Sequence, residues 1–308
     1  MLHIYMLGQF RVALDGFASA AKVTHTCQAL LAYLLLQRHR SHPRDALAGL
    51  FWPDYSQERA RSSLNTTLWR LRQALESNGT PRGTYLLSAS TGEVGFNPDS
   101  EHWVDAAAFE AQSRQVLAKP IEAMEAADAH ALEKALQLYA GELLEGFYDD
   151  WALRERERLR SVYLNGLAHL MYYYKHQKAY QESLVYARRI LDQDPLREEI
   201  HREIMRLHLV NGQRALAMRQ YEVCCELLAE ELGIPPMEET RALHAEMVNE
   251  TGARPTPAIP GHASIDYPHL LQQLQQAIEG FEEARSQVQR AIQLVEQLAQ
   301  HPNSEDAG

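Results

Sequence analysis

Cysteine is scarce in this 308-residue chain, with Cys27, Cys224 and Cys225 its whole stock. Three thiols with no C-x-x-C spacing cannot build a disulfide framework, which favours the cytoplasm. Long apolar runs are missing as well. None approaches the ~20 residues that span a bilayer, so no membrane segment is expected. The first residues, Met1 to Leu7, carry neither a basic leader nor a small-residue cleavage site and do not read as a signal peptide. There is no glycine-rich phosphate loop, no G-x-S-x-G and no H-E-x-x-H. Asp149-Asp150 has no base or nucleophile at a useful spacing. An enzyme, a cofactor and a metal centre are therefore not expected.

What is present is ordinary globular composition, 45% hydrophobic and 23% charged, in a length that suits two or three domains. The net charge of −11 is unevenly spread. Residues 1–98 hold ten Lys and Arg against six Asp and Glu, a balance of +4. Residues 99–252 stand at −11 and the remainder at −4. A basic head on an acidic body points to nucleic acid at the head alone.

In the head, Leu2, Ile4 and Met6 alternate with polar residues, as do Phe10, Val12 and Leu14, and predict two short strands. A dense apolar helix is predicted from Gln28 to Gln37. After His42-Pro43 a second, short helix runs from Arg44 to Leu50, with Pro43 suited to its first turn. Ser56 is placed to cap a long third helix. Tyr85-Leu86-Leu87 and Val94-Gly95-Phe96, around Ser90 to Glu93, form a hairpin signal. Strands, three helices and a hairpin make a winged helix-turn-helix.

The third helix carries the functional signal. Ala60, Leu64, Leu68, Leu71 and Leu75 form one apolar stripe. At about 100° per residue the other face holds Arg59, Ser62, Ser63, Thr66, Trp69, Arg70 and Gln73, flanked by Arg61, Asn65, Thr67 and Arg72. No acidic residue occurs from Arg59 to Leu75. Asn65, Thr66 and Trp69 are central enough to reach base edges, and Arg59, Arg70, Arg72, Ser62, Ser63 and Thr67 suit phosphates. The plain alternative is a solvated basic face, and for Trp69 an apolar contact with the wing. His39-x-x-His42 reads as a solvated turn, Cys224-Cys225 as small core residues, and the run Arg154 to Arg158 as a solvated helix face.

Beyond Glu101 the pattern is helical and repeats every 34 residues. Leu170 aligns with Ile204, Tyr174 with His208, Tyr180 with Arg214, Ser183 with Ala217, Ala187 with Tyr221 and Ile190 with Cys224. Helix pairs of the tetratricopeptide kind follow, with a weaker earlier unit holding Ala135 and Tyr139. Residues 251–266, with three prolines and two glycines, read as a linker. Over 267–300, Leu271, Leu274, Ile278, Phe281, Val288, Ile292 and Val295 keep a heptad rhythm with a polar break at Arg285 and Gly280 inside it. They suit a coiled coil or an amphipathic helix packed on another surface.

These residues carry a family resemblance. LAYLLLQRHRSHPRDALAGLFWPD and ERARSSLNTTLWRLRQALE resemble the response-regulator-like winged helix of SARP-type bacterial transcriptional regulators. VDAAAFEA, LYAGELLEGFYDDWALRERERLR, YARRILDQDPLREEIHREIMRLHLVNGQRALAMRQYE and LLAEELGIPP resemble the bacterial transcriptional activator domain that follows it. The resemblance runs over residues 1–248, about four-fifths of the chain. It implies binding to double-stranded promoter DNA, often at direct repeats by paired subunits, and recruitment of RNA polymerase holoenzyme. It places the reading positions at Ser62, Asn65, Thr66, Trp69 and Arg70. Two departures stand out: the wing tip, Ala89 to Gly92, has no Arg or Lys, and no nucleotide-binding module is present.

The expected molecule is mainly α. A winged helix-turn-helix with small β-sheets (1–98) precedes a tetratricopeptide-like α-solenoid (99–250), a linker (251–266) and a C-terminal amphipathic or coiled-coil helix (267–300) that pairs two copies into a homodimer. The expected function is a sequence-specific activator of transcription. The rivals are a protein-interaction scaffold and a regulator gated by an unidentified small-molecule or protein effector.

Overall fold

A computed structural model describes residues 1–14, 17–18, 24–76, 79–89 and 92–249 of the chain. The apolar alternation at the start forms β1 (Leu2–Tyr5) and β2 (Arg11–Leu14), antiparallel, with Leu2 opposite Leu14 and Ile4 opposite Val12. β3 (Phe17–Ala18) adds to β2. α1 (His25–Leu36) begins three residues before its predicted start, where Thr24 accepts from the Cys27 N–H and so caps the helix. Nearly all of its apolar side chains are buried.

β4 (His42–Pro43) leads straight into α2 (Arg44–Phe51), so Pro43 is the cap residue and not part of the first turn. α3 spans Gln57–Leu75. Ser56 holds its cap position, but the predicted side-chain cap is absent. β5 (Leu86–Ser88) and β6 (Glu93–Phe96) make the predicted hairpin, with Leu86 opposite Phe96, and β4 joins on the far side of β6. β7 (His102–Val104) then runs parallel to β1, completing the order β3-β2-β1-β7.

The helical part comprises α4 (Asp105–Leu117), α5 (Ala126–Gln137), α6 (Asp150–His176), α7 (Tyr180–Gln193), α8 (Glu198–Val210), α9 (Arg214–Leu232) and α10 (Glu238–Asn249). α7 and α9 start at Tyr180 and Arg214, one 34-residue period apart. The aligned pairs Leu170 and Ile204, Ser183 and Ala217, and Ile190 and Cys224 are all buried. Small side chains at Ser183 and Ala217 let paired helices approach, and the Ser183 hydroxyl donates to the Met171 carbonyl at 2.8 Å. Burial pushes the Cys224 thiol up to about 12, keeping it protonated and inert at neutral pH.

Head and repeats are joined by polar contacts as well as by apolar ones. Asp105, at the start of α4, accepts from the N–H groups of Met6 (2.8 Å) and Leu7 (2.9 Å). The carbonyl of Met6 accepts from Leu144 N–H at 2.8 Å. Arg156 donates to the carbonyls of Leu143, Leu144 and Phe147, at 2.8, 2.7 and 2.9 Å. The run Arg154 to Arg158 is thus only partly a solvated face, because loop carbonyls there have no helical partner and Arg156 supplies one. Tyr33 and Phe51 meet Trp151 edge-on or tilted, with ring centroids 5.3 and 6.1 Å apart.

Among the described residues no helix is long and apolar enough to cross a membrane. The predicted linker over 251–266 and the heptad positions Leu271 to Val295 lie outside them.

Candidate nucleic-acid interface

α3 exposes its polar face by turning one apolar stripe inward. Ala60, Leu64, Leu68, Leu71 and Leu75 are all buried, leaving the opposite side to solvent. Arg59, Arg61, Ser62, Asn65, Thr66, Trp69, Arg70 and Gln73 are exposed there, and Ser63 is half-buried. Trp69 is 60% exposed, which answers the alternative that the wing covers it.

Several of these side chains are already engaged. The Arg59 guanidinium lies over the Tyr55 ring, 4.5 Å from its centre. Arg61 makes a two-pronged pair with Asp45 of α2, at 2.5 and 2.6 Å, with both side chains about half exposed. The Arg61 hydrogen bonds hold the Asp45 carboxyl below its ordinary range. Thr66 donates to the carbonyl of Ser62 at 3.0 Å. Asn65 Oδ1 accepts from Arg44 Nη1 at 2.6 Å. Arg70 is exposed and makes no ion pair among the described residues.

Two predicted contact residues face elsewhere. Thr67 lies three positions after Leu64 and four before Leu71, which puts it on the core side. It is 6% exposed, and its hydroxyl donates to the Ser63 carbonyl at 2.8 Å. Arg72 is drawn under the hairpin, donating to Ser88 Oγ at 2.6 Å and to the Leu86 carbonyl at 3.3 Å. Its partner Glu76, 3.7 Å away, accepts from the N–H groups of Tyr85 and Leu86, both at 2.9 Å. Burial, then the nearby Arg82 charge, lowers the Arg72 pKa. Arg72 and Glu76 therefore latch β5 to α3, and neither is free to meet a phosphate.

The sequence reading missed two cations. A groove of about 410 Å³ runs along α3, and Arg44, Asn65, Trp69, Arg72 and Arg82 are among its lining residues. Arg44 belongs to α2 and Arg82 to the loop before β5, so neither shows on a helical wheel of α3. Their one local signal is a preceding proline, Pro43 or Pro81. His42, read as part of a solvated turn, is buried beside Tyr33, 5.1 Å between ring centres. Burial, then the Arg40 charge, keeps it below its usual pKa and so neutral. Among the described residues no group of three or more His, Cys, Asp or Glu is arranged to hold a metal ion.

Residues 104–248 match the family described as the bacterial transcriptional activator domain. The chain is 28% identical over 240 residues to the regulatory protein AfsR of Streptomyces coelicolor, covering 76% of this chain and only 23% of that protein. It is 25% identical over 239 residues to the transcriptional regulatory protein MoaR1 of Mycobacterium tuberculosis, covering 72% of each. The solved structure of Mycobacterium tuberculosis EmbR in complex with a low-affinity phosphopeptide superposes with a TM-score of 0.64 at 20% identity. That match covers 81% of this chain and 65% of the other, and it shows a shared fold.

Proposed function

We propose that the chain is a SARP-type bacterial transcriptional regulator, a reading supported by its match to the bacterial transcriptional activator domain and its likeness to transcriptional regulatory proteins, and that it works by laying α3 in the major groove of double-stranded promoter DNA. The observation that carries this reading is the exposed face of α3, cationic, amide- and hydroxyl-bearing, with Trp69 bare at its centre. Asn65, Thr66 and Trp69 meet base edges. Arg59, Arg61, Arg70, Ser62 and Ser63 meet phosphates, joined by Arg82 along the groove.

The head, 1–98, supplies the DNA contacts. The repeats, 99–250, offer a helical surface that recruits RNA polymerase holoenzyme, making the protein a cytoplasmic activator with no catalytic step. Leu271, Leu274, Ile278, Phe281, Val288, Ile292 and Val295 pair two copies, so that two heads occupy adjacent half-sites.

The test is retention of a labelled promoter fragment by the full chain. Wild type retains it with a steep loss in added salt, as phosphate neutralisation requires. The double substitution Asn65→Ala with Arg70→Ala abolishes retention. Unchanged retention, or binding indifferent to salt, refutes the reading and leaves a protein-interaction scaffold.

A further inference from the structure

Asn65 does not stand on the α3 face as a free amide. Nη1 of Arg44 donates to its Oδ1 at 2.6 Å. A guanidinium has donors only, so the amide atom facing it is the oxygen, and the orientation of the amide follows from chemistry. The Nδ2 donors remain unengaged among the described residues. Arg44 is itself held from the wing. Its backbone N–H donates to the Gly92 carbonyl at 3.3 Å, and its Nη2 reaches Ser88 Oγ at 3.5 Å. Ser88 is fixed in turn by Arg72 at 2.6 Å.

This arrangement changes what Asn65 can read. A free asparagine recognises adenine in two prongs, accepting from N6 and donating to N7. Here the oxygen is in use, and its remaining lone pair lies beside a cation that repels the N6 donor. Taken together, Arg44 and Asn65 present donors and one positive charge. Guanine offers the complement, with acceptors at both O6 and N7 and no donor on that part of its major-groove edge. Cytosine and adenine each put an exocyclic amine toward the groove, against the guanidinium.

On the reading that α3 enters the major groove, we propose that Arg44 sets the base preference of Asn65, making the pair a reader of guanine instead of adenine. Arg44 is then a specificity-determining residue that lies outside the recognition helix.

The experiment is selection of bound duplexes from a randomised library with the full chain, its Asn65→Ala variant, and two Arg44 variants. Wild type enriches guanine at one position whose preference disappears in Asn65→Ala. Arg44→Ala retains less DNA overall, but among the duplexes it does retain that position moves toward adenine, changing the guanine-to-adenine ratio about tenfold, the discrimination a two-pronged contact supplies. Arg44→Gln, which keeps bulk and loses the charge, shifts the same position and stands in should Arg44→Ala fold poorly by circular dichroism. Adenine at the Asn65-dependent position in wild type overturns the proposal. So does guanine preference unchanged in both Arg44 variants. A folded wild type that enriches no sequence at all defeats the DNA-binding reading beneath it, an outcome distinct from either of these.

Discussion

Asp105 shows how one side chain sets the attitude of the head. Its two oxygens take the N–H groups of Met6, Leu7 and Ala106, all within 2.9 Å. Both oxygens act as acceptors, so replacing either by an amide NH₂ sets donor against donor. Asp105→Asn should lower the free energy of unfolding by about 1–3 kcal/mol, the cost of a buried N–H left unpaired. Urea melts of the two proteins measure it, and equal midpoints would show that Met6 and Leu7 find other acceptors. Glu110 of α4 gives the pH counterpart. Burial works to raise its pKa, but hydrogen bonds from Arg158 at 2.6 and 3.1 Å, with Arg114 and Arg38 nearby, bring it below its ordinary 4.5. A carboxyl depressed in the folded state adds stability above its ordinary pKa and loses it as the pH falls through the folded value. Stability should therefore drop as the solution is taken below about pH 4.5. The drop should be shallower in Glu110→Gln, as followed by thermal melts across an acid series.

At the scale of elements, the join between head and repeats is a strand exchange. β7 lies beside β1 in parallel, Leu2 opposite His102 and Ile4 opposite Val104, and leads directly into α4. A fragment of residues 1–98 lacks β7, Asp105 and α4, and bares one edge of β1, whose Leu2, Ile4 and the following Met6 are fully buried in the whole chain. Uncovering core side chains of that size costs roughly 1.5–3 kcal/mol each, and a domain has only about 5–15 kcal/mol to lose. The fragment should show no cooperative thermal transition, whereas residues 1–249 should melt in one; a sharp melt of the fragment would contradict this. The same join explains what could be read from sequence. α1, α2, α3 and the hairpin announce themselves through local periodicity, and the 34-residue repeat through buried small residues at fixed intervals. Asp105 meets Met6 across 99 positions, and no local pattern reports that. Arg156 sits in an alternating charge run that looks solvated until the loop carbonyls of 143–147 arrive. On α3 the wheel found the open face but not its edges. Which flank is covered depends on α1 at Thr67 and on β5 at Arg72, and Arg44 belongs to a different helix altogether.

At the scale of the whole molecule, electrostatics and linkage pull in opposite directions, and that opposition makes the dimer proposal testable. Residues 251–308 hold three basic and seven acidic side chains. Removing them takes away four net negative charges, which by charge alone should tighten binding to DNA. If the heptad positions from Leu271 to Val295 pair two copies, removal also separates two heads that acted as one. The second head of a tethered pair binds at an effective concentration set by its linker, and joining it raises apparent affinity by roughly 10²–10⁴-fold on two half-sites. A chain ending at Glu250 should therefore sediment as a monomer and lose about that factor on a tandem site. On a single half-site it should bind as well as the full chain or slightly better. Loss on both sites would mean that the tail touches DNA or steadies the head. Equal binding on the tandem site would refute dimerisation through the heptads, because the charge change alone cannot mask a deficit of that size at physiological salt, where the Debye length is about 8 Å.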